Sequence, residues 1–131
     1  MFKIDFEVRD NEVDIQGVVN NANYFIYMAH ARHKFLRSIG IDFAEMAKNK
    51  QNLLLVSTNL EFKRSLQPND KFYVTCELVP EGSIRFAFKQ NILRLNDDIL
   101  IAKAHNIGAC IDGNTKRPYI PEQIKSNFKL G

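Results

Sequence analysis

Between Asp14 and Asp42 the chain contains no acidic residue at all. It also lacks any apolar run near the ~20 residues that span a bilayer, so no membrane helix is expected. The opening residues MFKIDFEVRD hold no uninterrupted apolar stretch, so a secretory signal is not expected and a cytoplasmic location is. Cysteine is scarce. Cys76 and Cys110 form no CxxC and sit among apolar neighbours, which reads as two reduced core thiols and argues against zinc. No stretch of five or six like charges occurs, and 18 basic against 15 acidic residues leave a net charge of only +3. That excess suits an anionic ligand without providing the basic stripe of a nucleic-acid binder. What remains is ordinary for a globular protein: 131 residues, 45% hydrophobic and 25% charged, read as one domain over 1–131.

Residues 2–10 alternate, with Phe2, Ile4, Phe6 and Val8 against Lys3, Asp5, Glu7 and Arg9, the pattern of a half-buried strand. A polar loop over 11–17 ends in Gly17. From Asn20 to Ile39 the period changes: Ala22, Phe25, Ile26, Ala29, Leu36 and Ile39 predict an amphipathic helix. Asn20 or Asn21 caps its start and Gly40 closes its end. A shorter helix is expected within 42–49. Strands follow at 53–64, 71–79, 84–95 and 99–112, separated by turns rich in Gly, Pro, Asn and Asp. Pro121 opens a last short helix near 121–128. One long helix and one mainly antiparallel sheet of about five strands give an α+β two-layer domain.

The acids Asp10, Glu12 and Asp14 crowd just ahead of the long helix. The bland explanation is the helix dipole, which favours acids at an N-terminus by about 0.3–1 kcal/mol each. The chemical explanation is acyl transfer: the free N–H groups of a first turn hold a carbonyl oxygen while a nearby carboxylate attacks or deprotonates water. Composition alone favours the dipole.

The run Asp14-x-x-Gly17-Val18-Val19-x-x-Ala22-x-Tyr24 resembles the signature of the 4-hydroxybenzoyl-CoA thioesterase-like branch of hotdog-fold thioesterases. So do 31-ARHKFLRSIG-40, 61-EFKRSLQPNDKFYV-74 and 101-IAKAHNIGACID-112 leading to 116-KRPYIP-121. The wording of 8–24 and 30–40 is closest to single-hotdog acyl-ACP thioesterases of plastids and bacteria. The resemblance implies a single hotdog domain that hydrolyses acyl-CoA or acyl-ACP, with CoA or phosphopantetheine as part of the substrate and no further cofactor. It places the catalytic carboxylate on Asp14 and the oxyanion-binding backbone N–H on Asn21. Many bacterial members carry His where Asn21 stands, so a side-chain proton donor is missing here. Glu12 falls at a supporting position. A second hotdog branch carries its acid on the central helix; the acid-free run closes that option. A dehydratase, which needs the same acid beside a His, ranks third.

Gly17, Asn20, Tyr24 and Phe25 flank the implied site. Ser57 and Thr58 interrupt an apolar strand that, in hotdog dimers, runs near the partner's active site; ordinary cross-strand bonding explains them equally well. Lys63, Arg64 and Arg94 are candidate phosphate contacts, or plain solvated cations. Phe25, Met28 and Ala29 lie along the helix as an acyl channel or as core. With no acid on that face, an apolar acyl chain is the expectation. His30 and His33 stand at i and i+3 without a third ligand, so no metal is expected. His105, in a strand, reads as structural. An incomplete cleft and an open sheet edge predict a homodimer, or a dimer of dimers. The rival reading is a non-catalytic acyl-thioester or partner-binding module on the same fold.

Overall fold

The computed structural model describes residues 1–129. Its elements run β1 (Lys3–Glu7), a 3-10 turn (Asp10–Glu12), α1 (Asn21–Ser38), α2 (Phe43–Lys48), β2 (Gln51–Phe62), β3 (Lys71–Thr75), β4 (Glu77–Glu81), β5 (Arg85–Arg94), β6 (Leu100–Asp112), β7 (Pro118–Tyr119) and α3 (Glu122–Lys125). The sheet is antiparallel in order β1-β3-β5-β6-β2, with β4 extending the β5 side and β7 paired to β6. The strand expected over 71–79 breaks at Cys76 into β3 and β4, and the two-residue β7 is too short for a sequence period to register. The sheet therefore has seven strands instead of about five.

Local chemistry sets the ends of α1. Asn20 Oδ1 accepts from Ala22 N at 2.9 Å, the expected N-cap. At the other end Gly40 N donates to Arg37 O and Ile41 N to Leu36 O, a Schellman closure that needs the positive φ of 84° found at Gly40. Buried Ile41 supplies the accompanying apolar contact.

The helix buries a different face from the one its aliphatic spacing suggests. Tyr24, Tyr27, Met28, Ala31, Phe35 and Leu36 pack into the core. The tyrosines bury because each hydroxyl finds a partner: Tyr24 accepts from Leu66 N at 3.0 Å and Tyr27 donates to Glu12 at 2.8 Å. Their rings meet Phe72, Val74, Ile92, Ala102 and Ala104 of the sheet in one cluster; Phe35 and Leu36 join Leu78, Phe86, Phe88 and Ile124 in another. Phe25 and Ile26 stay 43% and 60% exposed. A long helix laid across a wrapping antiparallel sheet is the hotdog arrangement.

Strands β1 and β2 end the main strand order, and β4, paired to β5 alone, is a further edge. On β2, Leu54, Leu55 and Val56 are exposed, and the register with β6 slips between Leu55 and Ser57, leaving Val56 as a bulge. Among the described residues no helix is long and apolar enough to cross a membrane.

Candidate active site

The loop from β1 to α1 is held by Glu12, whose side chain is nearly fully buried. Its Oε1 accepts from Arg9 N and from the Tyr27 hydroxyl, both at 2.8 Å. Its backbone carbonyl accepts from Asn20 N at 2.9 Å and from Asn23 Nδ2 at 3.1 Å. One residue thus fixes the loop to the side and to the start of α1. Burial first, then the hydrogen bond to Glu12, pushes the Tyr27 hydroxyl well above its ordinary pKa, so it stays a donor.

Two residues on, Asp14 opens a tight reversal. A bridge between Val13 and Val19 closes its neck. Asp14 N donates to Val18 O at 2.8 Å, Gly17 N to Asp14 O at 3.0 Å, and Gln16 N to Asp14 Oδ1 at 2.8 Å. Gly17 makes the turn with φ of 80°, where a Cβ would be strained. Asp14 is half-buried, and its Oδ2 takes no hydrogen bond from the described residues.

The start of α1 carries the complementary group. Ala22 N is satisfied by the Asn20 side chain and Asn23 N donates to Asn20 O. Asn20 N is spent on Glu12 O. Asn21 N alone among these donates to nothing in the described residues, and Asn21 is exposed. A free N–H at the positive end of an 18-residue helix is equipped to hold an oxyanion.

From Phe25, one turn after Asn21, an apolar groove runs along α1 against β2. One cavity, of ≈ 260 Å³, is lined by Phe25, Ile26, Ala29, Thr58 and Leu60 among others. A second, of ≈ 160 Å³, is lined by Leu36, Phe43, Leu53, Phe86 and Phe88. Arg32 and Leu55 belong to both. Phe25, expected as a channel residue, sits at the near end. Thr58 lines the groove and its hydroxyl is bonded to Asn106. Ser57 is exposed on the edge strand beyond the bulge.

Other expectations change. Tyr24 is 2% exposed, packed against Tyr27 and Phe62 with its hydroxyl on Leu66 N, so it is a core residue that touches no groove. Arg94 is held by Asp97 at 2.9 Å, which occupies the guanidinium proposed for phosphate. Lys63 and Arg64 are exposed just past β2, anchored by backbone bonds to Ile101 O, with Lys63 Nζ 4.0 Å from Glu61. His105 bonds to Glu81 at 2.7 Å on β4. Burial drives the Cys76 thiol up to about 12 and raises Cys110, so neither is a nucleophile; both are free. Among the described residues no cluster of three His, Cys, Asp or Glu would hold a metal ion.

Two groove residues, Arg32 and Asn106, and the buried Gln90 behind them carried no signal strong enough to single them out. The available hint was polarity out of place, since Gln90 and Asn106 stand on the buried, otherwise apolar faces of their strands.

Comparison with known proteins agrees with this fold. The family model described as the thioesterase-like superfamily matches residues 8–128. A chloroplastic acyl-acyl carrier protein thioesterase of Arabidopsis thaliana is 35% identical over 126 residues, covering 96% of this chain and 66% of that protein. The chain thus spans about two thirds of that relative's length. An acyl-CoA thioesterase of Haemophilus influenzae is 24% identical over 129 residues, covering 97% of this chain and 93% of that one. The crystal structure of a hypothetical protein from Aquifex aeolicus superposes with a TM-score of 0.85 at 28% identity, covering 98% of this chain and 100% of the other.

Proposed function

The chain belongs to the thioesterase-like superfamily, and from that premise we propose that it hydrolyses acyl thioesters of coenzyme A or of an acyl carrier protein. The observation that carries this reading is the free Asn21 N–H at the start of α1, at the end of the loop that contains Asp14 and one helical turn ahead of Phe25 in the groove lining. The thioester carbonyl oxygen is placed on Asn21 N–H, and the acyl group lies along α1. Asp14 either removes a proton from water as that water attacks, or attacks the carbonyl itself and is regenerated by water. In both routes the C–S bond breaks, the thiolate takes up a proton, and the sum is thioester plus water giving acid plus thiol. The thiolate leaves readily, so the carboxylate, the N–H and water suffice, and no cofactor is required. The backbone donor replaces any need for a side chain on Asn21.

The test is a hydrolysis screen over aromatic and aliphatic CoA and carrier-protein thioesters, run beside Asp14→Asn. Turnover should fall by about 10²–10⁴-fold in the variant. Wild-type rates in Asp14→Asn would refute the mechanism. Binding without turnover in the native chain would favour a non-catalytic binding module.

The working unit in this reading is a homodimer or a dimer of dimers. The 12-residue β2 edge is open, and Leu54, Leu55 and Val56 are exposed on it next to the groove. Pairing two β2 strands about a twofold axis covers this edge and walls the groove. Val56→Lys should shift the mass in light scattering from dimer to monomer; an unshifted dimer would overturn that interface. The two free, buried cysteines suit a reducing compartment such as the cytoplasm.

A further inference from the structure

A single cation stands inside the apolar groove, and a chain of buried amides holds it there. Arg32 Nη1 donates to Gln90 Oε1 at 3.1 Å. Gln90 is 1% exposed, and its Nε2 donates to Met28 O at 2.9 Å, which locks the amide to the helix backbone. Asn106, also 1% exposed, donates to the same Gln90 oxygen at 2.9 Å and is bonded in turn to Thr58 on β2. The guanidinium is thus positioned from α1, β5, β6 and β2 together.

Arg32 has no carboxylate partner among the described residues. Burial lowers its pKa, as expected for a cation short of solvent and counter-charge. Yet no buried side-chain donor in the described residues is left unsatisfied. The remaining guanidinium N–H groups are therefore not sealed in the core, and Arg32 lines both cavities. A half-buried cation with an amide partner but no counter-charge keeps donors available to an acceptor that enters the groove. Its orientation is also fixed before any ligand arrives, which lowers the entropy cost of using it.

Arg32 lies on the same helix face as the reaction centre. Asn21, Phe25, Ala29, Arg32 and Leu36 follow at spacings of four, four, three and four. Eleven residues at 1.5 Å rise put Arg32 about 16 Å beyond Asn21 along the axis. Helical side chains lean back by roughly a turn, so the guanidinium meets an acyl chain on the order of 10 Å from the thioester carbon.

We infer that Arg32 is a specificity residue that selects acyl groups bearing an acceptor oxygen (carbonyl, hydroxyl or carboxylate) part-way along the chain, in preference to plain alkyl chains of the same length. This rests on the hydrolase reading and sharpens it. It also replaces the expectation of a wholly apolar acyl chain: the acid-free helix leaves the groove with an uncompensated donor.

Binding separates this inference from the hydrolysis itself. The probes are medium-chain acyl-CoA thioesters of equal length: unsubstituted, mid-chain oxo, mid-chain hydroxy and ω-carboxy. Their affinities are measured by calorimetry on Asp14→Asn, which consumes them far more slowly, and their turnover on the unmodified chain. At least one oxygenated probe should bind about ten- to a hundredfold more tightly than the alkyl probe, the span expected of one charge-assisted hydrogen bond. Adding Arg32→Met should erase that preference while leaving alkyl binding the same or tighter. Arg32→Lys should keep part of it. Equal affinity for all four probes in Asp14→Asn overturns the inference without requiring any Arg32 variant to fold. An equal loss for every probe in Arg32→Met overturns it as well. If the unmodified chain turns over none of the probes but still prefers an oxygenated one, the hydrolase reading fails and the Arg32 assignment stands.

Discussion

Replacing Glu12 tests whether the loop that carries Asp14 is held from behind. In Glu12→Ala the Arg9 N–H and the Tyr27 hydroxyl both lose their acceptor, and the hydroxyl is left in the core without a partner. A hydrogen bond to a charged group contributes about 1.5–3 kcal/mol. The Arg9 ion pair adds little, because the Arg9 side chain is 76% exposed and screened. The expected destabilisation is about 3–5 kcal/mol, a large share of the ~5–15 kcal/mol typical of a domain. Tyr27→Phe removes one bond and strands nothing, so it should cost about 1–2 kcal/mol. A double-mutant cycle by urea denaturation should return a coupling of about 1–3 kcal/mol. The same loop presents Asp14, so kcat in Glu12→Ala should drop by about ten- to a hundredfold with KM little changed, as a small misplacement of a reacting group produces. Tyr27→Phe should lose far less. A coupling near zero, or an unaltered kcat in a folded Glu12→Ala protein, would refute the idea that Glu12 positions the loop.

Two further outcomes follow from packing and charge. Gly108 on β6 sits under Phe86, where an added Cβ would lie 2.7 Å from Phe86 Cε2 and 3.3 Å from Leu54 O; Gly108→Ala should cost about 1–3 kcal/mol by thermal denaturation and loosen β2 first in hydrogen exchange. His33 has its pKa lowered from 6.5, mainly by burial and then by Arg32, His30 and Arg37. Protonation therefore favours the unfolded chain, so stability is complete above pH 6.5 and falls as the pH drops below it. His33→Gln should flatten the Tm profile between pH 5 and 7, and an unchanged slope would exclude His33 as its cause.

Much of the scaffold was legible because its signals are local. Asn20 and Gly40 bracket α1 to within a residue, since caps act through bonds to their immediate neighbours. Asp14, Gly17 and Asn21 stood out through motif and spacing together. The buried face of α1 was not legible, because a tyrosine scores as half-polar until its hydroxyl has a partner. Those partners, Glu12 and Leu66 N, lie 15 and 42 residues away in the chain. The break at Cys76 and the Arg32–Gln90–Asn106 chain were hidden for the same reason. Each is decided by strands that meet only in the folded sheet.

Because Tyr24, Tyr27 and Met28 carry the packing of α1, the neighbouring Phe25, Ile26 and Ala29 are relieved of it. Packing and groove lining thereby fall largely on different sides of one cylinder, with Met28 and Leu36 shared between them. Substitutions on the groove side can lengthen, shorten or reshape the space for an acyl group while the helix stays docked. If the chain is the proposed hydrolase, changes at Phe25, Ile26 or Ala29 should alter its substrate range at a smaller cost in stability than changes at Tyr24 or Tyr27.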